Sequence, residues 1–200
     1  YLVGKHADKA VVLRFGIPAI LAAFAGAWLL LQLAAMQQVI SYSIAGSAFE
    51  VTPVNMVIAI LMIVFAVIEV LPDSKNFTFG VKMLPVGGAL SGFFGGLSGH
   101  QGAPRSAFLL KCGLSKEGFI ATGVTIACLI DFSRLIVYSS RYAFTPTGES
   151  TALLIAATLA AFIGAYVGRK LLTKITLYAV RVIVAVMLFL IAIGLGLGVI

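Results

Sequence analysis

Charged side chains are scarce in this chain: they make up 10% of 200 residues, and only seven are acidic. A soluble domain carries about 25% charged residues to keep its surface wet, so a water-exposed globule is excluded. Histidine and cysteine are also rare. The two cysteines, Cys112 and Cys128, have no metal-ligand or disulfide-framework spacing and read as reduced packing residues. Only one of the two histidines, His100, lies in a plausible core position, which leaves no nucleophile–base or metal constellation for an enzyme. No metal and no cofactor are expected. Residues 95–106 are glycine-rich but lack the GxxxxGK[ST] spacing and follow no strand, so no nucleotide is implied.

What is present is apolar. Hydrophobic residues make up 61% of the chain, and the mean hydropathy is +1.11. Apolar runs cover 16–35, 53–71, 83–99, 118–130 extending to 138, 151–168 and 175–200. Each is near the roughly 20 residues a helix needs to cross about 30 Å of hydrocarbon. The fold class expected is an all-α membrane protein, a polytopic helical bundle. The net charge of +7 sits in short connections between the runs, as topology determinants and lipid-phosphate contacts do. No nucleic-acid module is recognisable.

The chain repeats itself. LAAFAGA, Leu21 to Ala27, recurs as LAAFIGA, Leu159 to Ala165, and VIAILM, Val57 to Met62, is matched by VIVAVM, Val182 to Met187. Two halves on one plan are expected. Residues 1–72 read as the closing two helices of a first repeat, and 73–200 as a second repeat of a broken helix plus three spans. The rest of the first repeat is expected upstream of Tyr1.

Basic residues orient the segments. Lys5, Lys9 and Arg14 put the start of the first on the cytoplasmic side, and the connection 37–52 has Glu50 but no Lys or Arg. Lys75 and Lys82 mark the cytoplasmic side again, as do Arg169, Lys170, Lys174 and Arg181. Six simple crossings would put that last cluster outside. The conflict disappears if 83–112 enters from the cytoplasm, breaks near 99–102 and returns, which puts Lys111 and Lys116 inside and Arg141 and Glu149 outside. The two repeats then run in opposite directions.

Irregular backbone at membrane depth survives only where protein or a wet cavity shelters it. Pro104 can restart a helix there, since its missing N–H is not needed in a first turn, and the new helix N-terminus would attract an anion. Gly99, His100, Gln101, Gly102, Arg105 and Ser106 are the candidate substrate-binding residues. Arginine offers a planar fork of donors for sulfite, sulfonate, phosphate or carboxylate oxygens. Asp131 and Arg134, at i and i+3 on one face, are candidates for gating or coupling, with Thr122 on the same segment. Gly88, Gly92 and Gly96 repeat every fourth residue, a pattern for close helix–helix contact.

The stretch SGFFGGLSGHQGA, Ser91 to Ala103, followed by ATG, Ala121 to Gly123, resembles the second-half signature of the TauE/SafE sulfite exporter family of membrane permeases. The family signature ends in three consecutive glycines; here Gln101 and Ala103 take two of those places, after His100. The resemblance implies transport, in the export direction, of sulfite or small organosulfonates. The expected function is therefore a secondary transporter working by alternating access in the bacterial cytoplasmic (inner) membrane. Its partners would be a small anionic substrate and lipids, with a homodimer as the alternative to a single copy. A channel-like anion pore and a structural membrane partner are the competing readings.

Overall fold

The computed structural model describes residues 6–36, 40–44, 47–70, 81–110, 112–141, 148–171 and 176–199. Four of the basic residues that orient the sequence, Lys5, Lys75, Lys111 and Lys174, lie outside the described residues. The described chain is mostly helical. In order it forms α1 (Lys9–Ala34), β1 (Ile40–Ile44), β2 (Ser47–Val51), α2 (Pro53–Val70), a 3-10 turn (Val81–Met83), α3 (Leu84–Ser98), α4 (Gly102–Leu109), α5 (Lys116–Arg141), α6 (Gly148–Leu171) and α7 (Leu177–Gly196).

Lys9–Ala34, Glu117–Ser140 and Thr151–Gly168 are long and apolar enough to cross a membrane, and Pro53–Ile68 and Val182–Gly196 are shorter apolar helices. Free N–H groups at a helix start need acceptors in an apolar medium, and short polar side chains supply them. Asp8, Thr52, Ser115 and Thr176 accept from the backbone N–H of Val11, Asn55, Gly118 and Ala179 at 3.0, 3.2, 3.0 and 3.2 Å. Large apolar side chains such as Leu21, Trp28, Phe132 and Leu135 remain exposed, as a lipid-facing surface requires.

The core forms where α1, α3 and α5 meet. Phe15, Ala19, Ala23, Leu84, Ile126 and Ile130 are buried together. The glycine stripe of α3 lets two backbones touch: a Cβ on Gly88, Gly92 or Gly96 would lie 2.1, 2.0 or 2.2 Å from the carbonyl oxygen of Phe15, Ala19 or Ala23. Because both numbers rise together, α1 and α3 run in the same direction. α5 also runs with α1, since the Asp8 N–H donates to Thr122 Oγ1 at 2.9 Å and Gly16 lies beside Leu129 further along. α4 runs the other way: Ser91 Oγ donates to the Gln101 carbonyl at 3.0 Å, and Phe108 packs on Gly87, nearer the start of α3.

α3 has 15 residues, about 22 Å of helix. It stops short of the roughly 20 residues expected of a spanning segment. Its end is built by Gly99, whose φ of 81° is left-handed and whose N–H caps the helix on the Gly95 carbonyl at 3.0 Å.

α2 and α7 pack antiparallel. Ala59 and Met62 meet Ala192, Gly196 lies beside Ala59, and Ala66 and Val70 share an apolar groove with Ala185 and Val186. The connection 37–52 holds an antiparallel β-hairpin that the sequence reading treated as a plain loop. Its strands pair from Ile40↔Val51 to Ile44↔Ser47, with Tyr42 stacked on Phe49. The missed signal is the alternation in ISYSI and SAFEV, each only five residues long. Cys112 packs against the core cluster. Cys128 is exposed, so the expectation of two packing thiols holds for only one; its place on α5 faces outward.

The hairpin is locked to the end of α7. Tyr42 OH donates to the Leu197 carbonyl, and Gly198, at φ 62°, lies where a Cβ would come 2.5 Å from the Glu50 carbonyl oxygen. Gly198→Ala should cost about 1–3 kcal/mol through forced left-handed backbone and steric conflict. A thermal melt of the purified full-length protein in detergent checks this, with Gly196→Ala, which has room for its methyl group, as the unaffected control.

Candidate functional site

The break at 99–101 is held by α2, α3 and α5. His100 stacks on Phe65 of α2, with ring centroids 5.7 Å apart and planes 12° from parallel. Its Nδ1 lies 3.1 Å from the Ser98 carbonyl, which orients the ring and leaves Nε2 as its second polar atom. Gln101 is 7% exposed. It fits because Gly95 has no side chain: a Cβ there would meet Gln101 Cβ at 3.0 Å and Ile130 Cγ2 at 2.7 Å.

Gln101 joins the break to the charged pair. Its Nε2 donates to Asp131 Oδ1 at 3.1 Å, and this fixes the amide orientation, since the reverse would set two acceptors against each other. Oε1 is then a buried acceptor with no hydrogen-bond partner among the described residues. Arg134 Nε lies 3.3 Å from the same Asp131 oxygen, an ion pair not aligned as a hydrogen bond. Arg134 Nη1 reaches the Gly95 carbonyl at 3.5 Å, and a Cβ on Gly99 would come 2.7 Å from it. Tyr138, a turn further along α5, donates to the Gly96 carbonyl at 2.8 Å.

Arg105 projects from the first turns of α4. It lies near Gly123, and the Asp131 carboxylate acts on its guanidinium through space. Its Nη1 is buried with no hydrogen-bond partner among the described residues. Buried charges are normally paired, so this donor is held ready for an acceptor. With Arg105 and Arg134 against Asp131, the formal charge around the break is positive, which suits an oxyanion.

Of the residues expected from sequence, Gly99, His100, Gln101, Arg105, Asp131 and Arg134 come together around the break. Gly102 is exposed with open space around it, and Ser106 is half-buried in the middle of α4. Thr122 is elsewhere. It is fully buried and accepts from the Asp8 N–H at the start of α1, about 13 Å along α5 from Asp131 by helix rise. Thr125 bonds back to the Ala121 carbonyl at 2.8 Å.

Phe65, Ser91 and Tyr138 belong to the site and were not singled out for it from the sequence. Tyr138 had a signal: residues 131, 134 and 138 share one helix face. Phe65 had none, because an aromatic in an apolar run carries no mark of its partner.

No curated protein and no solved structure matches the chain. The family model described as sulfite exporter TauE/SafE matches residues 1–195. With its apolar spans and polar helix break, this integral membrane chain belongs to the TauE/SafE sulfite exporter family, whose members are transporters of sulfite-type anions and not enzymes.

Proposed function

We propose that the chain is a secondary transporter that exports sulfite or a small organosulfonate across the bacterial cytoplasmic membrane by alternating access. The observation that carries this reading is the buried, unpartnered Nη1 of Arg105 beside the broken helix. An oxyanion there would receive a charge-assisted bond from Arg105 and would face the N-terminus of α4, whose first-turn N–H groups have no partner within the helix. His100 and Gln101 would flank it, with Gly99 and Gly102 leaving the backbone accessible and Ser106 one residue beyond Arg105.

The chain would consist of two inverted repeats, divided near residue 72. Two packing directions support this: α1, α3 and α5 run alike with α4 reversed, and the repeat-related helices α2 and α7 run antiparallel. On this reading α3 and α4 form a re-entrant hairpin entered from the cytoplasm. Asp131 and Arg134 would couple transport to an ion. A proton on Asp131 would weaken its hold on Arg134 and Gln101, and with it the α3–α5 contact at the break.

The test is flux of labelled sulfite and methanesulfonate into proteoliposomes holding the full-length protein, with and without an imposed pH gradient. Accumulation beyond equilibrium that a protonophore collapses is the expected result. Equilibration indifferent to the gradient would mean a pore, and no flux would mean a structural partner.

A further inference from the structure

α6 is the long helix whose described side chains, 151–167, are exposed all along their length. Its sequence is a shifted copy of α1, and the copy extends beyond the repeat core: Ile17, Ala19 and Trp28 correspond to Ile155, Ala157 and Tyr166 at the shift that carries Leu21 to Leu159. On α1 this pattern has a known use. Ala19, Ala23 and Ala27 are fully buried, and a Cβ on Gly26 would lie 2.2 Å from the Phe93 carbonyl oxygen of α3. Leu21, Phe24 and Trp28 face outward on the same helix. The corresponding positions on α6 repeat both faces: Ala157, Ala161, Gly164 and Ala165 on one, and Leu159, Phe162 and Tyr166 on the other. Matching composition alone would not keep the contact face and the outward face in register.

We propose that the face of α6 formed by Ala157, Ala161, Gly164 and Ala165 docks a transmembrane helix with glycine at every fourth position. That helix would be the first repeat's counterpart of α3, carried by the same polypeptide and running parallel to α6. The inference rests on the two-repeat reading. A second copy is disfavoured as the occupant because its own Gly88–Gly92–Gly96 stripe is already filled by α1. The gain from docking is close backbone packing, the interaction that associates helices in lipid where no hydrophobic drive exists between them.

The experiment places a photoactivatable benzoylphenylalanine at position 161 or 159 of the full-length protein in native membranes. The expected result is that 161 cross-links, within a monomer, to a peptide with small residues at every fourth position, while 159 labels lipid. A smaller probe guards against disruption by the bulky group. In a Cys112→Ser, Cys128→Ser background, Ala161→Cys should form an intramolecular bridge with a cysteine introduced into that glycine stripe. A covalent dimer, exclusive labelling of lipid from 161, or attachment to a helix without small residues would overturn the proposal. Sulfite flux measured on the same membranes separates the two readings: cross-linking without flux removes the transport proposal, and flux without cross-linking removes this one.

Discussion

Gly92→Val should abolish assembly of the bundle. A Cβ at position 92 would lie 2.0 Å from the Ala19 carbonyl oxygen and 2.6 Å from both Ala19 C and Cα, all of them backbone atoms. No side chain can rotate away to make room, so the helices themselves must part. Because each is a rigid rod, the contacts at Gly88 and Gly96 open with it, and the buried cluster around Phe15 and Leu84 loses its wall. Overpacking a core commonly costs about 1–3 kcal/mol, and a clash between two main chains belongs at or above the top of that range. Gel filtration of the full-length protein should give a monodisperse peak for wild type and for Gly102→Ala, whose Cβ meets nothing within 4 Å. Gly92→Val should give aggregate or no protein. A monodisperse Gly92→Val protein with unchanged melting temperature would contradict the close contact.

Arg105→Ala should separate transport from stability. Removing a buried donor that has no partner leaves nothing else unsatisfied, so the melting temperature should hold or rise, because an intramembrane arginine costs about 2.5–3.5 kcal/mol on insertion scales. Transport should fall. A hydrogen bond from a charged donor contributes about 1.5–3 kcal/mol, so sulfite flux at limiting concentration should drop by about 10- to 150-fold. Arg105→Lys keeps the charge but loses the fork, and should recover only part of it. Flux in proteoliposomes, measured beside a thermal melt of the same preparations, reads both quantities. If Arg105→Ala melts lower and transports normally, the guanidinium is structural.

Much of the site was legible from the sequence because the polar residues are so few. A histidine, a glutamine and an arginine among glycines in an apolar chain mark a broken helix, and Asp131 and Arg134 three residues apart mark one face of the next. Sequence spacing could not show that Gln101 links the two groups. That bond spans 30 residues and depends on Gly95 having no side chain. Thr122 shows the converse: it shares a helix with Asp131, yet its hydroxyl serves the start of α1.

The hydrophobic runs, their near absence of charge and the repeat at Leu21 and Leu159 determined by themselves that this is a helical membrane protein with related parts. Such properties are set by the exchange of each side chain between water and lipid, which is local and additive along the chain. Only the tertiary structure decided which glycine meets which carbonyl, that α4 turns back along α3, and which arginine nitrogen is left without a partner. These depend on distances between segments far apart in sequence, where the contact of one residue is set by the packing of all its neighbours.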